Sequence, residues 1–171
     1  MGIERLVVVG GDAAAMTAAS QARRARADME IIALEKGPYV SYAACGIPYY
    51  VGGLVESYES LLVRTPEQFM QKQNIDARIG HEVVGIWPAE AKVVIRDLAG
   101  GREYDEPYDH LLLAMGASSV RLELPGVDAQ GIYGMASIDD ARTVRGTLER
   151  DRPKRAVIVG GGYVGLGMVE D

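Results

Sequence analysis

The sequence has 171 residues, of which 48% are hydrophobic and 25% are charged, and its formal net charge is -6 at pH 7. These values suit about one globular domain with a core of its own, and they exclude a disordered chain. The acidic balance argues against non-specific binding of nucleic acid, and no apolar run approaches the ~18 residues that a membrane span needs. With one cysteine and no export signal at its start, the protein is expected in a reducing cytoplasm.

Hydrophobic periodicity and turn residues divide the chain into alternating strands and helices. An apolar run that begins at Leu6 precedes a helix predicted at residues 13–27 and a strand predicted at residues 30–34. The elements predicted after these are a helix at 66–73, a meander within 83–105 with a turn at Gly100 and Gly101, a strand at 110–116, a turn at 125–128, a helix at 137–151 with Ser137 as its N-cap, and a strand at 156–159. This alternation predicts an α/β fold with a parallel sheet.

Two segments of the sequence repeat one pattern, LVVVGGDAAAM at residues 6–16 and AVIVGGGYVGLGM at residues 156–168. Each is an apolar run that breaks into glycines and then into small residues, and we call residues 10–15 and 160–165 the first and second glycine loops. Such a loop needs a helix and a further strand to complete a mononucleotide-binding unit. Only a few residues follow the second loop, so we expect a fragment of a longer protein; the alternative is a naturally short domain with a glycine-rich tail.

The first glycine loop has the setting of a dinucleotide-binding loop. The N-terminus of a helix offers unpaired N–H groups to a pyrophosphate, and glycine lets the backbone approach it closely. In this register the loop has Gly10, Asp12 and Ala15, and Glu35 follows the second strand, where a carboxylate can accept hydrogen bonds from ribose hydroxyls. Asp12 places a negative charge near the phosphates unless its side chain turns away. The alternative is a structural strand-turn-helix with a surface glutamate.

The stretch SYAACGIPYY, at residues 41–50, contains the single cysteine, Cys45. A free cysteine often packs as a small buried hydrophobe. A cysteine at the start of a helical turn, which Gly46 and Pro48 could supply, is instead suited to react as a thiolate. From the residues alone both interpretations stay open.

Six motifs occur in a fixed order along the chain: VVVGGDAAAMTAASQARR, EKGPYVSYAACGIPYYVGG, RTPEQF, YDHLLLAMGAS, PGVD and VIVGGGYVGL. Together they closely resemble the single-cysteine branch of the flavoprotein pyridine nucleotide-disulfide oxidoreductases, which includes coenzyme A-disulfide reductases, NADH oxidases and NADH peroxidases. The resemblance covers all 171 residues as the N-terminal part of the family's chain. It implies a Rossmann-like FAD-binding domain with a β-meander over residues 1–150 and the truncated start of an NAD(P)-binding Rossmann unit over residues 151–171.

The resemblance also implies FAD as the cofactor and NADH or NADPH as the reductant. The residues that it places at FAD are Gly10, Ala13, Ala14, Ala15, Glu35, Lys36, Val83 and Gly116. The second glycine loop would hold NAD(P)H through Gly160, Gly162 and Gly165. Cys45 would be the redox-active sulfur beside the flavin, held as a mixed disulfide with a small thiol or as a sulfenic acid.

Within the branch, coenzyme A disulfide is the expected substrate. Thr17, Gln21 and Arg24 match helix positions that contact coenzyme A in the family, and their spacing places them on one helix face. Ser41 matches a further contact, and Lys72 would supply a charge where the family has a basic residue on the next helix. A plain solvated basic run at residues 23–26 is the alternative for Arg24.

Oxidases and peroxidases of the branch carry a histidine at the position of Ala13, and neither His81 nor His110 replaces it by position. The expected function is reduction of coenzyme A disulfide, or a related disulfide or persulfide, through Cys45. The alternatives are an NADH oxidase acting on oxygen and, for this piece alone, a poorly soluble, non-catalytic partial FAD-binding module. A homodimer is expected for the full-length form, with no metal, nucleic acid or membrane partner.

Overall fold

The computed structural model describes residues 2–170, with Glu170 described by its backbone only. The chain forms two compact units. The first contains the described residues up to Tyr42 together with Leu62–Gly116, and the second contains Ala43–Leu61 together with the described residues from Ala117 onward. The predicted domain boundary between residues 150 and 151 stays a prediction.

A four-stranded parallel sheet forms the centre of the first unit. Its strands are β1 (Arg5–Val9), β2 (Glu30–Glu35), β3 (Asp76–Ile79) and β7 (His110–Leu113), in the order β3-β2-β1-β7. Helix α1 (Ala13–Ala25) connects β1 to β2, and α3 (Pro66–Gln73) precedes β3. The predicted α/β fold and its parallel sheet are confirmed.

Each face of the parallel sheet is covered by a different layer. On one face, Met16 and Ala19 of α1 and Phe69 of α3 pack against Ile31 and Ala33 of β2. On the other face lies an antiparallel meander of β4 (His81–Trp87), β5 (Lys92–Asp97) and β6 (Glu103–Pro107), which turns at Gly100 and Gly101 as predicted. The core residues that this meander shares with the sheet are Val7, Ile32, Leu34, Val93 and Ile95.

The regular secondary structure in the described part of the second unit is helical. Its helices are α2 (Ile47–Val51), α4 (Ile138–Asp151) and α5 (Tyr163–Glu170), and α2 packs against the other two. Ser137 caps α4 as predicted, because its hydroxyl accepts from the Asp140 N–H while the Asp140 carboxylate accepts from the Ser137 N–H. The predicted turn at residues 125–128 is also present.

The predicted strand at residues 156–159 is wrong. These residues pair with no strand, and the side chains of Val157 and Val159 are exposed. A strand satisfies its backbone groups through a neighbouring strand, and the described part of the second unit contains none.

Several element ends also differ from the prediction, most clearly those of β7 and α1. Strand β7 ends at Leu113 because its partner β1 ends at Val9, and α1 ends at Ala25 because Arg26 adopts an extended backbone. Within residues 2–170, no helix combines the length and apolar content that crossing a bilayer requires.

A buried carboxylate on β6 joins the meander to the parallel sheet. Glu106 accepts hydrogen bonds from Arg5 of β1 at 2.7 Å and from Arg78 of β3 at 2.9 Å. Arg5 also pairs with Glu30 of β2 at 2.8 Å, so the network reaches all three neighbouring strands. These charges lie at the contact between the two layers, so removing Glu106 takes one of two carboxylate partners from each arginine, because Arg5 keeps Glu30 and Arg78 keeps Asp76.

Replacing Glu106 by alanine is therefore expected to lower the free energy of unfolding by about 3 kcal/mol. Urea denaturation of the full-length protein measures the change. The matched control is Glu103→Ala on the same strand, where the carboxylate pairs with Arg96 at the surface and the expected loss is about 0–1 kcal/mol. Equal losses in the two variants would contradict the role assigned to Glu106.

Candidate functional site

The first glycine loop lies at the edge of the parallel sheet where β1, β2 and β7 end. Gly10 follows β1 directly, Glu35 is the last residue of β2, and Gly116 lies just beyond β7. Ligands of open parallel sheets bind outside the carboxyl ends of the strands. The fold therefore brings these three predicted cofactor residues to one edge of the first unit.

Gly10 and Gly11 leave no room for a side chain. Gly10 has φ +115, and a Cβ atom there would lie 2.2 Å from the carbonyl oxygen of Ala114. A Cβ atom on Gly11 would lie 2.6 Å from the Cβ of Glu35. The Gly10 N–H donates to the Leu34 carbonyl at 2.8 Å, which holds the loop against the end of β2. Glycine is required here because three strand ends converge on the loop.

Asp12 directs its carboxylate toward backbone N–H groups. Its Oδ1 accepts a hydrogen bond from the Tyr42 N–H at 3.2 Å. Burial raises the pKa of Asp12, while the N–H groups of Tyr42 and Ala13 act to lower it. The Ala13 N–H is thus engaged by Asp12. Ala14 and Ala15 follow in the first turn of α1, where N–H groups have no intrahelical acceptor.

Glu35 is half-buried and has one carboxylate oxygen engaged. Its Oε1 accepts from the Gly37 N–H at 2.7 Å, which holds the side chain at the end of β2. Among the described residues, Oε2 accepts no hydrogen bond. The neighbouring Lys36 is exposed.

Ser41 ties the chain after β2 to the first glycine loop. It has a left-handed backbone, φ 52, which is uncommon for a residue other than glycine. Its N–H donates to the Gly11 carbonyl at 2.8 Å, and its own carbonyl accepts from the Val63 N–H at 2.8 Å. Together with the contact between Asp12 and Tyr42, these bonds hold residues 41 and 42 beside the loop. No signal in the sequence predicted this contact.

Two other predicted cofactor residues differ in their surroundings. Val83 pairs with Ile95 in the meander, and its half-buried side chain packs against the core. Gly116 is exposed with φ +68, and Met115 before it is 64% exposed. Contact of Val83 with an adenine ring and of Gly116 with a flavin stays a prediction.

Thr17, Gln21 and Arg24 share one exposed face of α1, as the spacing predicts. Arg24 Nε donates to Gln21 Oε1 at 3.1 Å, so two of the three side chains are already in contact. The opposite face carries Met16 and Ala19, which are buried. This arrangement presents a guanidinium and an amide side by side to solvent.

The arginines of residues 23–26 have three different environments, so the stretch is not one uniform basic run. Arg23 donates to the carbonyls of Gln73 and Asn74 at the end of α3, at 2.9 Å and 2.8 Å. Arg26 pairs with Glu4 and Asp28. Among the described residues, only Arg24 of the three has neither a carboxylate nor a backbone carbonyl partner. The predicted residue Lys72 is exposed in the last turn of α3.

Cys45 is an exposed free thiol in the second unit. This contradicts the interpretation of a buried packing residue. It lies in a single 3-10 turn, Ala44–Gly46, directly before α2. The Ala43 N–H donates to the Leu61 carbonyl at 2.8 Å, and a Cβ atom on Gly46 would lie 2.7 Å from Leu61 Cδ2. The turn that carries Cys45 therefore packs closely against Leu61.

The second glycine loop repeats the backbone of the first. Gly160 has φ +120, close to the +115 of Gly10, and α5 begins at Tyr163 just as α1 begins at Ala13. A Cβ atom on Gly165 would lie 2.1 Å from the Gly160 carbonyl oxygen, so glycine is required there. Gly162 is exposed, and its carbonyl accepts from the Leu166 N–H at 2.9 Å. The repetition predicted from the sequence is thus present in the conformation of the loop.

The histidines have structural partners. His81 Nδ1 lies 2.8 Å from the Ile79 carbonyl, and His110 Nε2 lies 3.0 Å from a Glu4 carboxylate oxygen. In the part of the chain that the structure describes, no group of three or more His, Cys, Asp and Glu side chains is arranged to hold a metal ion.

The first glycine loop fits a bound dinucleotide. Gly10 and Gly11 let the loop turn tightly against Ala114 and Glu35, and the Asp12 carboxylate faces the Tyr42 amide. The start of α1 is exposed at Ala13 and Ala14, and the positive end of a helix dipole favours a phosphate there. Glu35 keeps one carboxylate oxygen that accepts no hydrogen bond from the described residues.

The chain is similar to known proteins along nearly its whole length. The chain is 32% identical over 164 residues to an NADH oxidase of Methanocaldococcus jannaschii, covering 96% of this chain and 36% of that protein. It is 32% identical over 169 residues to a coenzyme A disulfide reductase of Staphylococcus epidermidis, covering 99% of this chain and 38% of that protein. The crystal structure of reduced Bacillus anthracis CoADR-RHD superposes with a TM-score of 0.96 at 35% identity, covering 99% of this chain and 31% of that one.

The chain thus spans little more than a third of the length of these curated relatives. A family model described as pyridine nucleotide-disulphide oxidoreductase matches residues 4–169. That match includes both glycine loops, Cys45 and the exposed face of α1. The chain therefore belongs to the pyridine nucleotide-disulphide oxidoreductase family, which is FAD-dependent.

Proposed function

We propose that the full-length protein is an FAD-dependent NAD(P)H oxidoreductase that reduces coenzyme A disulfide, or a related disulfide or persulfide, through Cys45. The observation that carries the proposal is the exposure of the single thiol in a fitted turn directly before a helix. A thiol that served only as packing would be buried. The exposed pair of Gln21 and Arg24 on α1 supports coenzyme A as the substrate's carrier group.

Residues of the first unit would hold FAD. Gly10 and Gly11 allow the tight turn that would bring the start of α1 to the pyrophosphate, the amides of Ala14 and Ala15 would face it, and Glu35 would bind the ribose. Further contacts are proposed at Ala13, Lys36, Val83 and Gly116, and at Gly160, Gly162 and Gly165 for NAD(P)H. When bound, FAD supplies a ring that accepts a hydride and passes on electrons.

The chain's own contribution to the chemistry is the sulfur of Cys45. Its thiolate attacks one sulfur of the disulfide RS–SR, so that a Cys45–SR bond forms, the S–S bond breaks and one thiolate RS⁻ leaves. Two electrons and one proton then convert the mixed disulfide into the Cys45 thiolate and a second thiol. Because Cys45 is exposed, a bulky disulfide can reach it without local unfolding.

Coenzyme A carries phosphates, for which a guanidinium is the best matched side chain. Arg24 is held by Gln21 and has no carboxylate partner among the described residues. Thr17 lies on the same face, and Ser41 and Lys72 are proposed as further contacts. A phosphate bound at Arg24 would therefore displace no ion pair.

The second candidate is an NADH oxidase that acts on oxygen, which the similarity to the Methanocaldococcus jannaschii protein favours. Ala13 argues against it, because oxidases of the branch resemble one another in carrying a histidine there. Product analysis separates the two functions, since a reductase forms thiol whereas an oxidase forms water or peroxide.

A homodimer and a cytoplasmic location are also proposed for the full-length protein. For residues 1–171 alone, the proposed alternative is a non-catalytic partial FAD-binding module.

A Cys45→Ser variant tests the main proposal. With a substrate thiol bound to Cys45, titration of the oxidised full-length protein with NADH is expected to consume about two more electrons per flavin than the flavin itself accepts, and the variant is expected to lose that surplus. The visible absorption spectrum follows the titration. Ala44→Ser, which adds a hydroxyl to the adjacent exposed residue, is the matched control and should keep the surplus. Identical electron uptake in wild type and Cys45→Ser would refute a redox role for Cys45.

Asp12→Asn tests the fit of the first glycine loop to FAD. The amide keeps an oxygen for the Tyr42 N–H but removes a negative charge beside the phosphates, so the FAD dissociation constant is expected to fall by about threefold to tenfold at low salt. Burial raises the pKa of Asp12 above its ordinary 3.8. As the pH falls through that raised pKa, wild-type Asp12 becomes neutral and its affinity should approach that of the variant.

The measurement is reconstitution of the full-length apoprotein with FAD, followed by flavin fluorescence. Asp28→Asn, at the opposite end of α1, removes the same charge at an exposed position and should leave the affinity unchanged. Equal affinities of wild type and Asp12→Asn at neutral pH would show that the Asp12 charge does not reach the phosphates.

Arg24→Gln tests recognition of coenzyme A. Loss of a charged hydrogen bond to phosphate is expected to raise the KM for coenzyme A disulfide about tenfold, with little change in the KM for NAD(P)H. Steady-state assays of the full-length enzyme measure both constants. The control Arg26→Gln removes a nearby arginine that is already paired with Glu4 and Asp28. If both variants raise the KM equally, general surface charge and not Arg24 governs binding.

A further inference from the structure

The helix that follows Cys45 is short and needs support at its end. Helix α2 spans only Ile47–Val51, and its buried residues are Ile47, Tyr50 and Val51. A five-residue helix gains little from its own hydrogen bonds, because nucleation is costly. The last carbonyls of α2 accept local bonds from the turn that follows, including a long one of 3.3 Å from the Gly53 N–H to Tyr50. Its orientation must therefore depend on contacts with other elements.

Arg145 of α4 supplies such a contact. Its Nη1 donates to the Tyr50 carbonyl at 2.9 Å and to the Val55 carbonyl at 2.8 Å. Its guanidinium carbon lies 4.6 Å from the centre of the Tyr50 ring, within the range of a cation–π interaction. One side chain thus holds both the backbone and the ring at the end of α2.

Arg145 is itself held in place. Its Nε donates to Glu149 Oε1 at 2.8 Å, one turn along α4, and its side chain is only 19% exposed. Guanidinium is planar and presents its donors in a fixed fork, so these contacts can form together. A lysine at this position carries the same charge but cannot reproduce the fork.

The two ends of α2 therefore have different tasks. At its start, the turn Ala44–Gly46 carries Cys45 and rests on Leu61. At its end, Arg145 fixes the carbonyls of Tyr50 and Val55. A shift of α2 at the Arg145 end would be passed along the helix to the turn, because a short helix moves as one body.

We infer that Arg145 is a positioning residue for Cys45: it fixes the short helix that follows the thiol, through two backbone carbonyls and the Tyr50 ring. The inference rests on the proposed function in one respect, since it takes Cys45 as the redox sulfur. By this inference, α4 helps to position Cys45 although Arg145 does not contact the reacting atoms.

The test compares Arg145→Lys with Arg150→Lys in the full-length protein. Arg150 lies on the same helix and donates to the adjacent Asp151, so its replacement controls for loss of an arginine from α4. In Arg145→Lys, hydrogen exchange of the amides in residues 46–55 is expected to become about tenfold faster. The kcat for disulfide reduction is expected to fall about tenfold while the KM for NAD(P)H stays the same.

The outcomes separate the inference from the proposed function. Unchanged exchange in residues 46–55 overturns the inference, because Arg145 would then not hold α2. Faster exchange with an unchanged kcat also overturns it, because Arg145 would then be structural only. The Cys45→Ser titration decides the proposed function separately, and it does not involve Arg145. Faster exchange together with a lower kcat, and neither in Arg150→Lys, supports the inference.

Discussion

The close approach of backbone to backbone at Gly10 is the constraint on which the candidate cofactor site depends. The Ala114 carbonyl lies where a Cβ atom of residue 10 would be, and Glu35 and Val40 occupy the corresponding space beside Gly11. Because neither residue has a side chain, the ends of β1, β2 and β7 converge and α1 starts directly above them. An open edge with exposed helical amides follows from this convergence, and that edge suits a pyrophosphate.

The close packing around the first glycine loop also determines where the Asp12 carboxylate lies. An acidic residue at the start of α1 would normally repel a phosphate, yet Asp12 is directed to the Tyr42 amide by the chain that Ser41 holds in place. Burial raises the pKa of Asp12, which reduces its tendency to ionise. The loop therefore keeps an acidic side chain whose carboxylate is engaged by the Tyr42 amide.

In each unit, arginine side chains link separate secondary-structure elements. In the first unit, Arg5 and Arg78 converge on the buried Glu106 and join the meander to the sheet. In the second, Arg145 reaches two carbonyls near the end of α2 and stacks on Tyr50. Such contacts use the several donors of one guanidinium at once, so a single side chain fixes an element that local hydrogen bonds would leave poorly supported. These arginines are held inside the fold by several partners, whereas Arg24 on α1 is exposed to solvent and bonds only to Gln21 among the described residues.

The sequence by itself determined the features that depend on neighbours along the chain. The two glycine loops, the cap at Ser137, the bounds of α3 and the shared face of Thr17, Gln21 and Arg24 all follow from local patterns, because helix geometry and glycine conformations act over a few residues. Only the tertiary structure decided the direction of Asp12, the exposure of Cys45, the targets of Arg145 and the absence of a strand at residues 156–159. Each of these depends on partners far away in the sequence: Arg145 and Tyr50 are 95 positions apart, and a strand exists only where another strand can pair with it.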